Sequence, residues 1–240
     1  MSMHRLESVN LWLKRLLLVF LLVLAALLAV YFQQGGWDRL RSSGFLARML
    51  HSQASNGPEV AIISGHRGFD SGAVCADDGL MEVVVNEGIA SKVVEDLQSQ
   101  GITALLLDEY APRLQGLQAK ALVSIHADSC VDKSGFKVAS AERTIIPEQD
   151  EMLVECLKKE YAAATGLDYH AGAITKDMTQ YHAFQRVAAT TPGAIIETGY
   201  LGGDKEMLMN EQEKLAEAIS KGIICFLDWQ QSHTSATEDS

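Results

Sequence analysis

Apolar residues in this chain fall into two kinds of pattern within residues 58–229, and each kind predicts its own element. Short continuous runs such as Val60-Ala61-Ile62-Ile63 and Ala194-Ile195-Ile196 predict strands at 60–64, 103–107, 121–126, 135–139 and 193–198. Runs without a polar alternation suit a sheet covered on both faces. Between them, apolar positions recur at helical spacing over about 82–99, 148–165 and 204–228. Strands alternating with helices predict an α/β fold, a three-layer arrangement with a twisted, mostly parallel or mixed sheet flanked by helices. No internal repeat interrupts this order.

A third pattern precedes the domain. Leu16 to Phe32 is a run of 17 residues without a charge. A membrane-spanning helix takes about 20 apolar residues, with about 17 at the short end. Tyr31, Phe32, Gln33 and Gln34 offer no small-x-small cleavage site, so the run reads as an uncleaved anchor rather than a signal peptide. The chain then divides into a short N-terminus (1–15), a transmembrane helix (16–32), a polar, glycine-containing linker (33–57), the α/β domain (58–229) and a polar tail (230–240) expected to be disordered.

Charge narrows the function classes. Residues 1–50 carry six Lys/Arg and two acids, a net +4, against −11 for the whole chain, which leaves −15 on residues 51–240. A domain that acidic lacks the basic footprint of a nucleic-acid binder. Basic residues lie on both sides of the apolar run (Arg5, Lys14 and Arg15 before; Arg39, Arg41 and Arg48 after), so charge alone does not orient the anchor.

Three of the predicted strands end in ionisable groups. His66 follows the first, in "SGHRGFDSGA"; His126 ends another, in "ALVSIHADSC"; Glu197 lies in a third, in "AIIETGYLGG". Buried ionisable groups are costly unless paired, and strand ends of one sheet converge on sites. Two histidines with carboxylates suggest zinc, whose catalytic sites take three protein ligands and a water. The third ligand comes from Glu82 or Glu87 in the helix "MEVVVNEGIASKVVEDL". At about 100° per residue, Ile89, Val93 and Leu97 stay within roughly 60° of Glu82, whereas Glu87 falls about 140° away. Glu82 therefore shares the sheet-facing side.

These segments in this order, "GHRGFDSGA", Glu82 leading into "NEGIASKVVEDL", "SIHAD" and "IETGYL", resemble the zinc-dependent N-acetylmuramoyl-L-alanine amidases of the Amidase_3 type, over about residues 58–229. The resemblance implies one Zn2+ per chain held by His66, Glu82 and His126, with Glu197 as the catalytic acid–base group. The substrate would be the amide between N-acetylmuramic acid and L-alanine in peptidoglycan. Asp70 would orient its loop or a ligand. Departures from the family are Arg67-Gly68, where two glycines often follow the first histidine, and Gly202-Gly203, where a polar pair is frequent. His170 and His182 receive no role. A peptidase acting within the stem peptide and a non-catalytic wall-binding protein are the rival readings.

Such a substrate lies outside the cytoplasmic membrane. The expected placement is therefore a single-pass protein of the cytoplasmic membrane with its catalytic domain extracytoplasmic. A 25-residue linker extends at most about 80–90 Å. Of the four cysteines, Cys156 and Cys225 sit in apolar helical patterns and read as core residues. Cys75 and Cys130 follow His66 and His126 in polar loops; two histidines on one metal would bring these loops together, so a Cys75–Cys130 disulfide is expected in an exported protein. The connection from Gly135 to Gly193 shows one clear helix and no spare segment to plug the site, so no obligatory activator is expected.

Overall fold

The structure, a computed structural model, describes residues 57–238 together with Phe20. Strand β1 (Val60–Ser64) pairs in parallel with β2 (Ala104–Asp108) on one side and β3 (Ala121–Asp128) on the other. Strand β5 (Gly193–Tyr200) continues in parallel beside β3, and β4 (Lys137–Ser140) closes that edge antiparallel to β5. The order is β2-β1-β3-β5-β4, a mixed five-stranded sheet.

Alternate side chains of the sheet enter two separate cores. Val60, Ile62, Val123, Ile125 and Ile196 meet the long helices α1 (Glu82–Ser99), α2 (Pro147–Thr165) and α5 (Gln212–Glu238). Ala61, Ile63, Leu122, Ala139 and Ile195 point the other way. That second face has no long helix. It is covered by Leu114 of the short 3-10 turn Pro112–Leu114, Met178 of α3 (Lys176–Thr179), and Tyr181, Ala183 and Val187 around the 3-10 turn His182–Gln185. The connection into β5 thus holds more than the one expected helix. Its short turns carry enough apolar side chains to seal the sheet.

Three other differences from the sequence reading have physical causes. The expected helix at 204–228 is divided at Glu211 into α4 (Lys205–Asn210) and α5. Helix α5 also runs on to Glu238, into residues expected to be disordered, because a helix anchored by a buried face can continue into a polar turn. Cys156 and Cys225, expected as separate core residues, form a disulfide with Cα atoms 5.8 Å apart. Helices α2 and α5 approach closely enough that a Cβ at Gly222 would stand 2.8 Å from Leu157 Cα, and that approach brings the two cysteines within disulfide range. Residues 16–32, apart from Phe20, lie outside the described residues, so the expected anchor does too. Among the described residues no helix is long and apolar enough to cross a membrane.

Candidate metal centre

The carboxyl ends of β1 and β3 adjoin each other, and β5 lies beside β3, so residues that leave these strands meet above one edge of the sheet. His66 sits in the turn after β1 with φ of 65°, a left-handed conformation that costs a non-glycine residue energy and recurs at functional sites. Its ring is held from behind. Nδ1 lies 2.5 Å from Asp70 Oδ1, and the same carboxylate oxygen accepts the Gly72 N–H at 2.9 Å. Asp70 therefore fixes both the ring and the loop that carries it.

Glu82 occupies the first turn of α1, where the helix dipole favours an anion. Its Oε2 lies 3.2 Å from His66 Nε2 and its Oε1 lies 3.0 Å from His126 Nδ1. The Ala73 N–H and the Asn86 amide donate to the same carboxylate at 3.1 Å each. One donor atom from each of His66, Glu82 and His126 falls within 4.8 Å of the others. Two glycines permit this convergence. A Cβ on Gly65 would stand 2.4 Å from His126 Cε1, and one on Gly72 would stand 2.6 Å from Glu82 Oε2. Glu87 lies outside the group, exposed, and ion-pairs with Arg67 Nε at 3.1 Å.

The electrostatics favour a cation. Burial opposes ionisation of Glu82, but hydrogen bonds to His126 and His66 hold its pKa well below the usual carboxylate range. The Glu82 carboxylate raises the pKa of His66 against the effect of its burial. Burial also lowers the pKa of His126, yet Glu109 and Glu82 more than offset it and lift the value to about 10. The carboxylates of Glu82 and Glu109 therefore draw positive charge toward the two imidazoles. Two nitrogen donors and one carboxylate, mutually close and buried, form a donor set that fits zinc.

Glu197 is the register partner of His126 across β3 and β5 and of Lys137 across β5 and β4, so the three side chains share one face. Its Oε2 is buried without a hydrogen-bond partner among the described residues. Burial raises its pKa to about 7, opposed by His126 and Lys137. A carboxyl group tuned to near neutrality can accept and return a proton. Lys137 is buried and paired with Asp128.

Three residues without a role in the sequence reading complete the surroundings. Glu109, just after β2, accepts the His66 backbone N–H at 2.9 Å and the Tyr181 hydroxyl at 2.8 Å. Its Oε1 is 2.7 Å from His182 Nε2, and its Oε2 is 3.5 Å from His126 Nε2. The signal for Glu109 was available, since β2 too is an apolar run ending in acids, Asp108-Glu109. Tyr181 and His182 lie in a short turn with no periodicity to mark them. His170 stands elsewhere, its ring filling the space beside Gly135. Cys75 and Cys130 are joined in a disulfide that ties the loop after β1 to the loop after β3.

An α/β frame that converges two imidazoles from strand ends and a carboxylate from a helix start, with a second carboxyl group tuned near neutrality beside them, has the parts of a hydrolase site. Residues 60–225 match the Amidase_3 family, described as N-acetylmuramoyl-L-alanine amidase, and the chain belongs to that family. Its members are enzymes of peptidoglycan, acting at the bond between N-acetylmuramic acid and L-alanine. Among solved structures, the chain is similar to the amidase AmiC2 of Nostoc punctiforme, at 27% identity and a TM-score of 0.56 over 70% of this chain and 96% of that one. It is also similar to the catalytic domain of the amidase CwlV from Bacillus (Paenibacillus) polymyxa, at 26% identity and a TM-score of 0.53 over 70% and 97%. The amidase of Clostridium difficile 630 shares the fold, at 20% identity and a TM-score of 0.58 over 72% and 98%. A comparison with curated proteins gives no match.

Proposed function

We propose that this chain hydrolyses the amide between the lactyl group of N-acetylmuramic acid and L-alanine in peptidoglycan, using one zinc ion held by His66, Glu82 and His126. The observation that carries the zinc assignment is the approach of those three donor groups to within 4.8 Å of one another. When bound there, zinc supplies a Lewis acid for the scissile carbonyl and makes a bound water acidic near neutral pH. The chain's own residues supply the rest. Asp70 keeps the His66 ring turned toward Glu82, Asn86 and the Ala73 amide hold the Glu82 carboxylate, and Glu197 takes a proton and returns it to the leaving amine nitrogen. A pKa of about 7 for Glu197 suits both halves of that exchange.

The apolar run at 16–32 supports a single-pass anchor in the cytoplasmic membrane, with residues 33–240 on the side where peptidoglycan lies. The domain acts without an obligatory activator in this reading, although one fold relative, CwlD of Clostridioides difficile, has been solved in complex with the GerS lipoprotein. Product analysis on purified peptidoglycan tests the reaction. New N-terminal L-alanine is expected; cleavage inside the stem peptide, or none, would contradict the proposal.

A further inference from the structure

Two exposed aromatic side chains stand beside the candidate metal centre. Phe69, three residues after His66, is 63% exposed, and Tyr110, one residue after Glu109, is 47% exposed. Their ring centroids are 4.6 Å apart at an edge-to-face angle of 62°. Tyr110 also stacks on the His182 ring, at 4.2 Å and 20°. His182 in turn meets the Glu109 carboxylate that holds the His66 backbone. The three rings therefore form a continuous shelf tied by one carboxylate to a proposed zinc ligand. Leaving a phenyl ring in water forfeits burial free energy, and clustered exposed apolar groups mark contact sites.

Sheet order says which part of the substrate lies over this shelf. Strand order places the shelf at the β1–β2 end of the site and Glu197 with Lys137 at the β5–β4 end, with the three donor groups between. On the amidase reading, on which this inference rests, Glu197 protonates the leaving nitrogen. The amine half of the amide, the L-alanine of the stem peptide, therefore faces β5. The acyl half, whose lactyl group joins the sugar, then points toward β1 and β2. Charge agrees with this direction. Asp70 follows Phe69 in the chain and Asp108 precedes Tyr110 by two residues, and Arg67 is already paired to Asp108 and Glu87. That surface repels the carboxylates of a stem peptide, while sugar hydroxyls can donate to it.

We propose that Phe69 and Tyr110 form a glycan subsite, in which a pyranose ring of the polysaccharide strand lays its apolar C–H face on the aromatic shelf. The positive edge of a C–H bond meets the negative face of the ring, and His182 keeps the Tyr110 ring at a fixed tilt.

The test uses the full-length chain and two probes, a peptide-free tetrasaccharide of alternating N-acetylglucosamine and N-acetylmuramic acid, and a sugar-free stem tetrapeptide. Calorimetric titration should show the tetrasaccharide binding about tenfold more weakly to Phe69→Ala and to Tyr110→Ala, about the size of one stacking contact. Tetrapeptide binding should not move. Both side chains are exposed, so truncation leaves the core intact, and Phe69→Tyr and Tyr110→Phe should restore binding. With an intact glycan-peptide substrate, KM should rise in the alanine variants while kcat holds. The shelf is overturned if tetrasaccharide binding is absent or unmoved, or if tetrapeptide binding falls instead. Cleavage of the intact glycan-peptide substrate by the wild type is read on the same protein preparation. If the wild type cleaves and the tetrasaccharide result is negative, the shelf alone fails; if the wild type does not cleave, the amidase reading fails and takes the shelf with it.

Discussion

Glu109 Oε2 accepts the backbone N–H of His66 at 2.9 Å while lying 3.5 Å from His126 Nε2. One buried carboxylate thus contacts the backbone of one histidine of the candidate metal centre and the ring of the other. Carboxylates placed behind a ligating histidine orient the ring, and their loss typically lowers metal affinity about 10–100-fold. Glu109→Ala should lower zinc affinity by that factor in a chelator competition. It should also destabilise the fold, since the Tyr181 hydroxyl and the His66 amide lose their acceptor at about 1–3 kcal/mol per buried group. Glu109→Gln, which keeps an acceptor oxygen, should recover part of both. Unchanged zinc affinity in Glu109→Ala would remove this residue from the site.

Gly65 tests the packing of the donor group. A Cβ there would come within 2.6 Å of three atoms of the His126 ring, and the ring has no flexible end to yield. Gly65→Ala should cost about 1–3 kcal/mol, as overpacking does. It should also reduce bound zinc measured by atomic absorption. Full zinc occupancy with unchanged thermal stability would show that the ring is not held where the structure places it.

The two disulfides predict different consequences. Each is expected to stabilise by about 2–4 kcal/mol, seen as a lower melting temperature in the double-serine variants. Only Cys75–Cys130 ties together the loops that follow His66 and His126. Cys75→Ser/Cys130→Ser should therefore also weaken zinc binding, while Cys156→Ser/Cys225→Ser, which frees α2 from α5, should not. Mass spectrometry of the non-reduced protein should show both crosslinks. Four free thiols would contradict the structure.

Lys137 sets the pH dependence. Glu197 must be ionised to accept a proton, so activity falls as pH drops through its pKa, which burial places at about 7 against the opposing charges of His126 and Lys137. Lys137→Met removes one positive neighbour and favours the protonated acid. The acid limb of the kcat/KM profile should then move to higher pH. A shift to lower pH, or none, would separate Lys137 from Glu197.

Much of this arrangement was legible before any coordinates. Strands β1, β3 and β5 announce themselves as apolar runs, and each ends in or carries a residue that buried chemistry would require. Helical periodicity separated Glu82 from Glu87, because only one of them shares a face with Ile89, Val93 and Leu97. What stayed hidden was set by tertiary placement. From the end of β2 the chain presents Asp108, Glu109 and Tyr110 in succession; the two acids are visible there, but no period tells which of them turns inward. Tyr181 and His182 belong to a 3-10 turn whose position depends on the sheet face it covers. Cys156 and Cys225 look the same in an apolar helical pattern whether they are bonded or free, and only the close approach of α2 to α5 decides it.

The division of labour between the two glutamates is the core of the mechanism, and zinc content measured together with turnover in the same samples tests it most directly. Glu82→Gln exchanges a carboxylate ligand for a neutral amide and should lose zinc, with partial recovery in excess metal. Glu197→Gln keeps the shape and loses the proton acceptor. It should hold one zinc per chain while turnover on peptidoglycan falls about 10²-fold to 10⁴-fold, and added zinc should not restore it. Loss of zinc from Glu197→Gln, or its rescue by excess zinc, would contradict the assignment of His66, Glu82 and His126 as the ligands and Glu197 as the acid–base group.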